Sequence, residues 1–591
     1  MFTIRFKTAL YRPDLQITLR TNVDGWGHDL PGLYQADEWR FELPEANYPN
    51  GVEFKFVLER TYWMTGGNLF LHPQTGGDYT FDASTVRFPP VTEAVVENSH
   101  FQQMFFKPTL DEGHVFDVIV IGSGIGGGIV ADQLSDLGAD VLVLEAGSLL
   151  FPTHIANLPR QHKVGQFDKH LWGLYDEYKV VNYANAPGSE FGGGQGFNLG
   201  GRSVFWGGLI PRMTWWELET WPQNIKWYLE NSGYQRAEDL MYWPLPPGAY
   251  HQNVKAFLAA QFPAYDHFDA PVAVRHSNAS FGTISSGLFS TADLLTESRL
   301  TDDPAGNQKL AVNLNHAVTK IVRNGSQITQ VVAHDLLVDK VRTFKAKYVV
   351  LAAGCVESCK LAKLSGLADP NALVGKGITD HPIFFTHFSV PVGRPHHSGV
   401  ASSKVLSRHK QATAAAHPYN VVLELGADFN QGRFLDPELL ARHRQLKGNA
   451  MLCEVVFLFH APLVAQNRLD HNGPAYAKPV IAMQHSPSAD AHWAEVNAFK
   501  DALIAQLGGE AIVGQDLSLK RAGLGGVAHE VGSLRAGTGQ TGVVDENLKW
   551  NGHDNLFVCD LSVFPTSPAA NPTLTLAALA LRLADHIKGL L

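Results

Sequence analysis

Cysteine is scarce in this chain, with four residues among 591, at positions 355, 359, 453 and 559. Four cysteines are too few for a disulfide framework of the kind that holds small secreted domains together. Cys355 and Cys359 are four positions apart, but no second pair or nearby histidine completes a zinc site. We therefore expect no bound metal, and we interpret these cysteines as buried thiols.

Basic residues and long apolar runs are also few. Lys and Arg number 47 against 57 Asp and Glu, for a net charge of −10, which argues against nucleic acid as a partner. The sequence contains no stretch of about 18 apolar residues, the length needed to span a bilayer. The N-terminal residues MFTIRFKTALYRPD do not have the pattern of a secretory signal. We expect a cytoplasmic protein with no membrane partner.

The first part of the chain alternates apolar and polar residues at period two, as in Phe2-Thr3-Ile4-Arg5-Phe6. Such short alternating runs, separated by turn residues such as Pro49-Asn50-Gly51, predict an antiparallel β-sandwich over residues 1–88. Pro89-Pro90 opens a stretch with little periodicity, so we interpret residues 89–113 as a linker that packs on the following domain.

From Val115 the pattern changes to an apolar strand, a glycine-rich turn, a helix and a second apolar strand. The turn matches GxGxxG, in which Gly122 permits the tight turn, Gly124 lets the backbone approach a pyrophosphate, and Gly127 allows close helix packing. Glu145 ends the second strand, where a carboxylate can bind ribose hydroxyls. Together these features predict a dinucleotide site and leave FAD and NAD open.

Further strand and helix signals of the same α/β domain extend to the C-terminus. We expect an α/β fold whose dinucleotide-binding domain is discontinuous and is built from residues 114–240, 311–380 and 520–591. The intervening residues 241–310 and 381–519 are the natural candidates for an inserted, substrate-binding domain.

Three motifs and a C-terminal set follow one another along this domain. The motifs are GFNLGGRSVFWGG at 196–208, KYVVLAAGCVESCKLAKLSGL at 347–367 and GKGITDHP at 375–382, and the C-terminal set contains GVVDENL, NLFVCDLSVFP and NPTLT. In this combination the chain resembles the glucose–methanol–choline (GMC) oxidoreductase family from about residue 115 to its end. The resemblance implies FAD in an elongated cleft, with the flavin between the Gly200-Gly201 loop and the C-terminal motifs. The cofactor-binding residues that it implies are Gly122, Gly124, Gly127, Glu145, Gly200, Gly201, Ser203, Val318, Ala353, Asp560, Pro572 and Thr573.

The same resemblance places two catalytic residues, His529 in HEVGS and Asn571 in ANPT, and so assigns the chain to a His/Asn subgroup. A neutral imidazole can take the hydroxyl proton while hydride leaves the carbinol carbon, and an amide can orient the same oxygen. Any one of 26 histidines has a structural role as its ordinary explanation, and Asn571 before Pro572 also fits a helix N-cap. The motif context favours the catalytic roles.

Three further positions refine the expectation. Trp206 makes its loop resemble those of pyranose oxidases and sugar-acid dehydrogenases, and we interpret it as a wall of the substrate pocket rather than a core residue. Phe205 stands where some members attach flavin to a histidine, so we expect non-covalent FAD. His381 matches a frequent family motif, and we expect it to be structural.

The N-terminal residues show a weaker resemblance, to starch-binding modules of the immunoglobulin-like sandwich kind. Their glycan-stacking tryptophans would correspond to Trp26 and Trp63. The alternative, that both rings lie in the sandwich core and the module docks on the catalytic domain, is the one that we expect.

The sequence therefore predicts an FAD-dependent oxidase or dehydrogenase that takes hydride from the CH–OH group of an alcohol, with His529 as base. We expect the alcohol to be a sugar or glycoside. A non-sugar alcohol, a lyase or decarboxylase on the same FAD scaffold, and a sugar-binding protein with structural FAD remain alternatives. The electron acceptor, oxygen or another, and a homo-oligomeric state are left open by the sequence.

Overall fold

The computed structural model describes residues 1–8, 16–88, 108–157, 178–242, 247–279, 282–300, 309–426 and 437–591. These form two compact units. The N-terminal unit comprises Met1–Pro108 and His334–Arg342, and the large unit comprises Thr109–Ala333 and Thr343–Leu591. The expected linker at 89–113 lies outside the described residues up to position 107.

The N-terminal unit contains two β-sheets. Its strands are β1 Phe2–Lys7, β2 Ile17–Thr21, β3 Leu30–Pro31, β4 Leu33–Gln35, β5 Glu38–Leu43, β6 Val52–Leu58, β7 Tyr62–Trp63, β8 Leu69–Leu71 and β9 Asp78–Asp82. One sheet has the order β4-β5-β1-β9, and the other has the order β3-β2-β6-β7 with β8 also paired to β6. All pairs are antiparallel except β1 with β9.

The two sheets share one apolar core, because the alternating residues of β1, β5 and β6 point inward. The rings of Phe6 and Phe41 pack on Phe56, with centroids 5.2 and 5.7 Å apart. Trp26 and Trp63 do not belong to this core, so the expected core role of these two rings is wrong. They lie beside each other, half-buried, because short turns and the two-residue strand β7 carry them outside the paired sheet faces.

A seven-stranded sheet forms the centre of the large unit. Its strands are β10 Val115–Ile121, β11 Val141–Leu144, β16 Leu310–Asn313, β17 His316–Asn324, β18 Gln327–Asp335, β19 Lys340–Leu351 and β28 Leu556–Val558. Their order is β16-β11-β10-β19-β18-β17, with β28 paired to β19. Strand β10 pairs in parallel with β11 and β19, β11 with β16, and β28 with β19. Strands β10, β11 and β28 are almost wholly apolar, as buried parallel strands are.

A second sheet has six strands, which are β13 Tyr265–Asp269, β20 Ile383–Val390, β21 Ser403–His409, β22 Tyr419–Leu425, β23 Met451–Phe459 and β27 Lys520–Arg521. Their order is β13-β21-β22-β23-β20-β27, and all neighbours are antiparallel. One face packs on two helices through a large apolar core that includes Phe388, Tyr419 and Phe457. The other face carries a smaller apolar cluster around Ile383, Phe385 and Leu458.

The helices are α1 Ile125–Asp136, α2 Gln223–Tyr228, α3 Tyr234–Met241, α4 Ala249–Gln261, α5 Thr291–Leu300, α6 Gly354–Leu364, α7 Pro437–Lys447, α8 Trp493–Leu507 and α9 Thr573–Leu590. The remaining strands are β12 Ala184–Asn185, β14 Val274–Ala279, β15 Gly282–Leu288, β24 Ala461–Pro462, β25 Arg468–Asp470, β26 Val480–Ala482 and β29 Thr566–Ser567. None of the described helices combines the length and apolar character needed to cross a bilayer.

Two elements differ from the division expected along the chain. Helix α5, which falls within the expected substrate-binding residues 241–310, contacts α1 beside the seven-stranded sheet. Strand β27, which falls within the expected FAD-binding residues 520–591, pairs with β20 of the six-stranded sheet. Both depend on contacts distant in sequence, which local periodicity does not reveal.

Candidate functional site

The turn between β10 and α1 requires glycine at two of its motif positions for packing. A Cβ on Gly122, whose φ is +97°, would lie 2.5 Å from the carbonyl oxygen of Ala352. A Cβ on Gly127 would lie 2.1 Å from the carbonyl oxygen of Gly122. A Cβ on Gly124, in contrast, would meet no atom within 4 Å. The start of α1 is therefore open at Gly124, where its N–H groups can face a phosphate.

The loop of Gly200 and Gly201 lies against this turn. Gly200 N–H donates a hydrogen bond to Ser123 Oγ at 3.0 Å. A Cβ on Gly201 would lie 3.2 Å from Gly124 Cα. Both glycines have positive φ, +82° and +53°, a conformation that other residues rarely adopt. The two glycine-rich segments thus form one surface, and this cradle fits the diphosphate of a dinucleotide.

Thr291, which the sequence did not single out, holds the two loops together. Its Oγ1–H donates to the Ser123 carbonyl oxygen at 2.8 Å, and its N–H donates to Ser203 Oγ at 3.0 Å. Ser203 Oγ–H in turn donates to the Gly200 carbonyl oxygen at 2.6 Å. Ser203 therefore shapes the loop in the structure. In the sequence, the only feature that pointed to Thr291 is that a threonine stands at the start of a helix, which does not predict contacts with distant loops.

Glu145 is buried behind the glycine turn. Its Oε2 accepts from Ser123 N–H at 3.0 Å and Ser123 Oγ–H at 2.7 Å, and its Oε1 accepts from Gly147 N–H at 2.9 Å. Burial raises the pKa of this carboxyl, against these hydrogen bonds, which lower it. The residue fixes the turn, and a carboxylate retains acceptor sites for a ribose hydroxyl.

Asp560 connects the end of β28 to the start of α6. Its Oδ2 accepts from Gly354 N–H at 3.0 Å and Ser358 Oγ–H at 2.5 Å, and its Oδ1 accepts from Ser562 N–H at 2.8 Å. Ala353 N–H donates to the same Ser358 hydroxyl at 2.9 Å. Burial raises the pKa of Asp560.

Val318 lies half-buried on β17, a strand at the edge of the same seven-stranded sheet. Its assignment as a cofactor-binding residue stays a prediction.

His529 lies in direct contact with His381, although 148 positions separate them. His381 Nε2 is 2.8 Å from His529 Nδ1, and His381 Nδ1 is 2.6 Å from the carbonyl oxygen of Pro568. His381 is buried, and this burial lowers its pKa to about 4. His381 thus makes hydrogen bonds to both His529 and Pro568, which lies three residues before Asn571.

Asn571 is half-buried and stands two residues before α9. The alternative N-cap role of its side chain is not observed, because Pro572 occupies the cap position and makes no side-chain cap hydrogen bond. The preceding residue is fixed by the buried Glu217, whose Oε1 accepts from Ala570 N–H at 2.8 Å. Pro572 is buried, and Thr573 is half-buried at the first helical position.

Trp206 follows the second glycine loop and is half-buried. Its Nε1–H donates to the carbonyl oxygen of Phe289 at 2.8 Å, which fixes the orientation of the indole. Phe205 is buried and packs edge-on against Phe151, with ring centroids 5.8 Å apart. Phenylalanine has no heteroatom that could bond covalently to a flavin.

Arg202 and Glu530 form an ion pair that the sequence did not reveal, with Nη1 2.6 Å from Oε1. Arg202 belongs to the second glycine loop, and Glu530 is the buried neighbour of His529. This pair therefore links the expected cofactor loop to the candidate base.

Comparisons with known proteins point to one oxidoreductase family. Family models described as GMC oxidoreductase match residues 295–383 and 482–580, which include His381, His529 and Asn571. Pyridoxine 4-oxidase of Microbacterium luteolum is 20% identical over 77% of this chain and 96% of its own length. Paromamine 6'-oxidase of Streptomyces fradiae is 23% identical over 81% of this chain and 93% of its own length.

A solved structure of Aspergillus oryzae formate oxidase has a similar fold, with a TM-score of 0.57 at 16% identity. The superposition covers 81% of this chain and 99% of that protein. The likeness extends over nearly the whole of that flavoprotein, so the fold of the two chains is shared.

Proposed function

Because the chain belongs to the GMC oxidoreductase family, whose members bind FAD, we propose that it oxidises a sugar or glycoside hydroxyl with His529 as base. It is an enzyme that acts on the CH–OH group of an alcohol. Relatives named for pyridoxine, paromamine and choline oxidation support this reaction class. The sugar assignment draws on paromamine, an aminoglycoside, and on the resemblance of the Trp206 loop to those of sugar oxidases.

The residues around the glycine turn fit FAD. The open position at Gly124, the adjoining loop at Gly201 and the buried Glu145 would hold its diphosphate and ribose. FAD, when bound, supplies the acceptor for the hydride that leaves the carbinol carbon. Phe205 cannot bond covalently to the flavin, so we propose that the cofactor is held without a covalent link.

His529 takes the hydroxyl proton of the substrate in this proposal, and Asn571 orients the same oxygen. The observation that carries it is the pair of hydrogen bonds that connects His529 to His381 and His381 to Pro568, three residues before Asn571. These two bonds support placing both candidate residues in one site. A neutral imidazole is a suitable base near neutral pH because its ordinary pKa is about 6.5.

An anaerobic screen of the FAD-loaded enzyme tests the proposal. Aldoses, glycosides, paromamine, pyridoxine and choline are mixed with the enzyme, and loss of the oxidised-flavin absorbance is followed. Bleaching by aldoses or glycosides supports the sugar assignment, whereas bleaching by pyridoxine or choline alone would favour a non-sugar alcohol. A lyase, a decarboxylase or a sugar-binding protein with structural FAD would give no bleaching.

The role of His529 is tested with His529→Ala. We expect the variant to retain FAD and to be reduced about 10²- to 10⁴-fold more slowly, the usual contribution of a general base. His114→Ala, which removes an exposed histidine paired with Asp140, is the control and should keep the wild-type rate. Reduction of His529→Ala at the wild-type rate would place the base elsewhere.

We also propose that the N-terminal unit is an immunoglobulin-like sandwich of the starch-binding kind. Its paired sheets with one core and the half-buried, adjacent rings of Trp26 and Trp63 support this. Partly open indole rings suit the C–H faces of sugars.

A further inference from the structure

The hydrogen bonds of His381 determine which of its ring nitrogens carries a proton. A carbonyl oxygen can only accept, so the 2.6 Å contact with the Pro568 oxygen requires a proton on His381 Nδ1. Burial keeps this imidazole neutral near pH 7, because it lowers the pKa of His381 to about 4. A neutral ring carries one N–H, so His381 Nε2 holds a lone pair and can only accept.

The contact between the two rings then fixes the proton of His529. His381 Nε2 lies 2.8 Å from His529 Nδ1, and since His381 accepts there, His529 Nδ1–H must donate. The neutral form of His529 therefore has its basic lone pair on Nε2, the ring nitrogen that does not face His381. The main-chain oxygen of Pro568 thus sets the tautomer of His529 through one intervening ring.

We propose that His381 is a positioning residue that holds His529 in the Nδ1–H tautomer, so that Nε2 takes the proton of the substrate hydroxyl. This inference rests on the proposed role of His529 as base. In the step itself the hydroxyl O–H bond breaks and the proton joins His529 Nε2, while hydride leaves the same carbinol for FAD. The Nδ1–H bond to His381 is kept throughout, so His381 neither gains nor loses a proton.

A neutral acceptor has a consequence that a carboxylate would not have. A carboxylate beside His529 Nδ1 would stabilise the imidazolium and raise the pKa of the base. The imidazole of His381 orients the ring through a hydrogen bond without bringing a negative charge. The arrangement therefore fixes the geometry and the tautomer of His529 without a negative charge that would raise the pKa of the base.

Ring-nitrogen NMR of the FAD-loaded enzyme tests the tautomer without any substrate. Protein labelled with ¹⁵N-histidine distinguishes a ring protonated at Nδ1 from one protonated at Nε2, and His529→Gln identifies the His529 signals by their loss. We expect the Nδ1–H form of His529 in the wild type and a mixture of tautomers in His381→Asn. An Nε2–H form in the wild type, or an unchanged Nδ1–H form in His381→Asn, would overturn the proposal.

Two substitutions of different length separate positioning from packing. The amide nitrogen of Asn can replace Nδ1 and still donate to the Pro568 oxygen, but Asn has no atom at the position of Nε2. The longer side chain of Gln can present an oxygen there as an acceptor. With the alcohol that bleaches the flavin in the anaerobic screen, His381→Asn should be reduced about 10- to 100-fold more slowly. His381→Gln should recover most of the rate, and equal losses in both would contradict the proposal.

A double variant separates this inference from the proposed function. If His381 acts through His529, adding His381→Asn to His529→Gln should slow reduction by less than about twofold, because the two residues are coupled. An additional loss as large as that of His381→Asn alone would indicate an independent structural role and refute the proposal. If His529→Gln is reduced at the wild-type rate, the proposed base is wrong, while the NMR result still decides the tautomer. FAD content and thermal midpoint are measured for every variant.

Discussion

A Cβ placed on Gly201 would lie 3.2 Å from the Cα of Gly124, so the two glycine-rich loops of the large unit touch. Beside this contact Gly124 stays open, because a Cβ there would meet no protein atom within 4 Å. In the first loop, Gly124 is therefore the motif glycine that can approach the cofactor, whereas Gly122 and Gly127 are required for main-chain packing. This distinction leads to a matched pair of substitutions within one turn.

Gly124→Ala should weaken FAD binding and leave the apoprotein fold intact. Its φ of −62° suits alanine, and the added Cβ meets no protein atom within 4 Å. We expect FAD affinity to fall by about 10- to 100-fold, or ~1.4–2.8 kcal/mol, because the methyl group would occupy the approach of the diphosphate. Flavin fluorescence titration measures the affinity, and the thermal midpoint of the apoprotein reports the fold.

Gly126→Ala is the matched control, because its Cβ would lie 1.8 Å from the carbonyl oxygen of Cys559. Overpacking of this kind typically costs about 1–3 kcal/mol, so this variant should lower the thermal midpoint of the apoprotein itself. If Gly124→Ala binds FAD as the wild type does, the diphosphate does not lie at this turn.

The cofactor should be released when the protein is denatured. Phe205 is buried and offers no atom for a covalent link to the flavin. We expect the purified enzyme to be yellow and acid precipitation to leave all of the flavin in the supernatant. Flavin retained in the washed precipitate would show a covalent attachment at another residue.

The glycine turn could be predicted from sequence because its motif is contiguous and Gly127 meets the carbonyl oxygen of Gly122 within the same turn. The contact that constrains Gly122 is with Ala352, distant in sequence, and was not predicted. The partner of His529 could not be predicted either, because His381 lies 148 positions away in sequence and only the folded chain brings the two rings together. Motif context located His529 and Asn571 but gave no hydrogen-bond partners. The error at Trp26 and Trp63 has a similar cause, since period-two patterns do not apply to rings on turns and two-residue strands.

Asn571→Ala should reduce the rate of flavin reduction less than the loss of His529. The side chain is half-buried and does not cap α9, so its removal should leave the helix intact. We expect a loss of about 10- to 100-fold, if Asn571 supplies one orienting hydrogen bond of ~1.5–3 kcal/mol. Stopped-flow reduction measures the effect, and His114→Ala, which changes an exposed residue paired with Asp140, is the control here as well. A change in thermal midpoint without a change in rate would exclude a catalytic role.

Acid should destabilise the fold partly through His381. Its pKa is about 4 in the folded protein against an ordinary value of 6.5, so the unfolded chain binds more protons between these values. The stabilising contribution of the neutral ring is complete above about pH 6.5 and is lost as the pH falls towards 4. Between about pH 7 and about pH 5 the loss should be on the order of 2 kcal/mol.

The comparison of wild type with His381→Gln isolates this contribution, because other buried histidines such as His460 also have lowered pKa values. Urea midpoints at the two pH values should fall further in the wild type than in the variant. Equal falls would mean that His381 is not neutral and buried as described.

Trp63→Ala should leave the fold and catalysis nearly unchanged and should weaken binding to maltodextrin. The ring is half-buried, 6.0 Å from that of Trp26, and the Arg20 guanidinium lies 5.2 Å from its centroid. A core tryptophan replaced by alanine would cost about 3–5 kcal/mol, so an unchanged thermal midpoint would itself agree with a position outside the core. Turnover of a small substrate should stay within about threefold of the wild type, because the reacting groups belong to the large unit.

Retention of the full-length enzyme on a maltodextrin matrix tests the binding. It should fall in Trp63→Ala and persist in Phe70→Ala, which removes an exposed aromatic ring elsewhere in the same unit. Equal retention of both variants would exclude the tryptophan pair as a glycan-contacting surface.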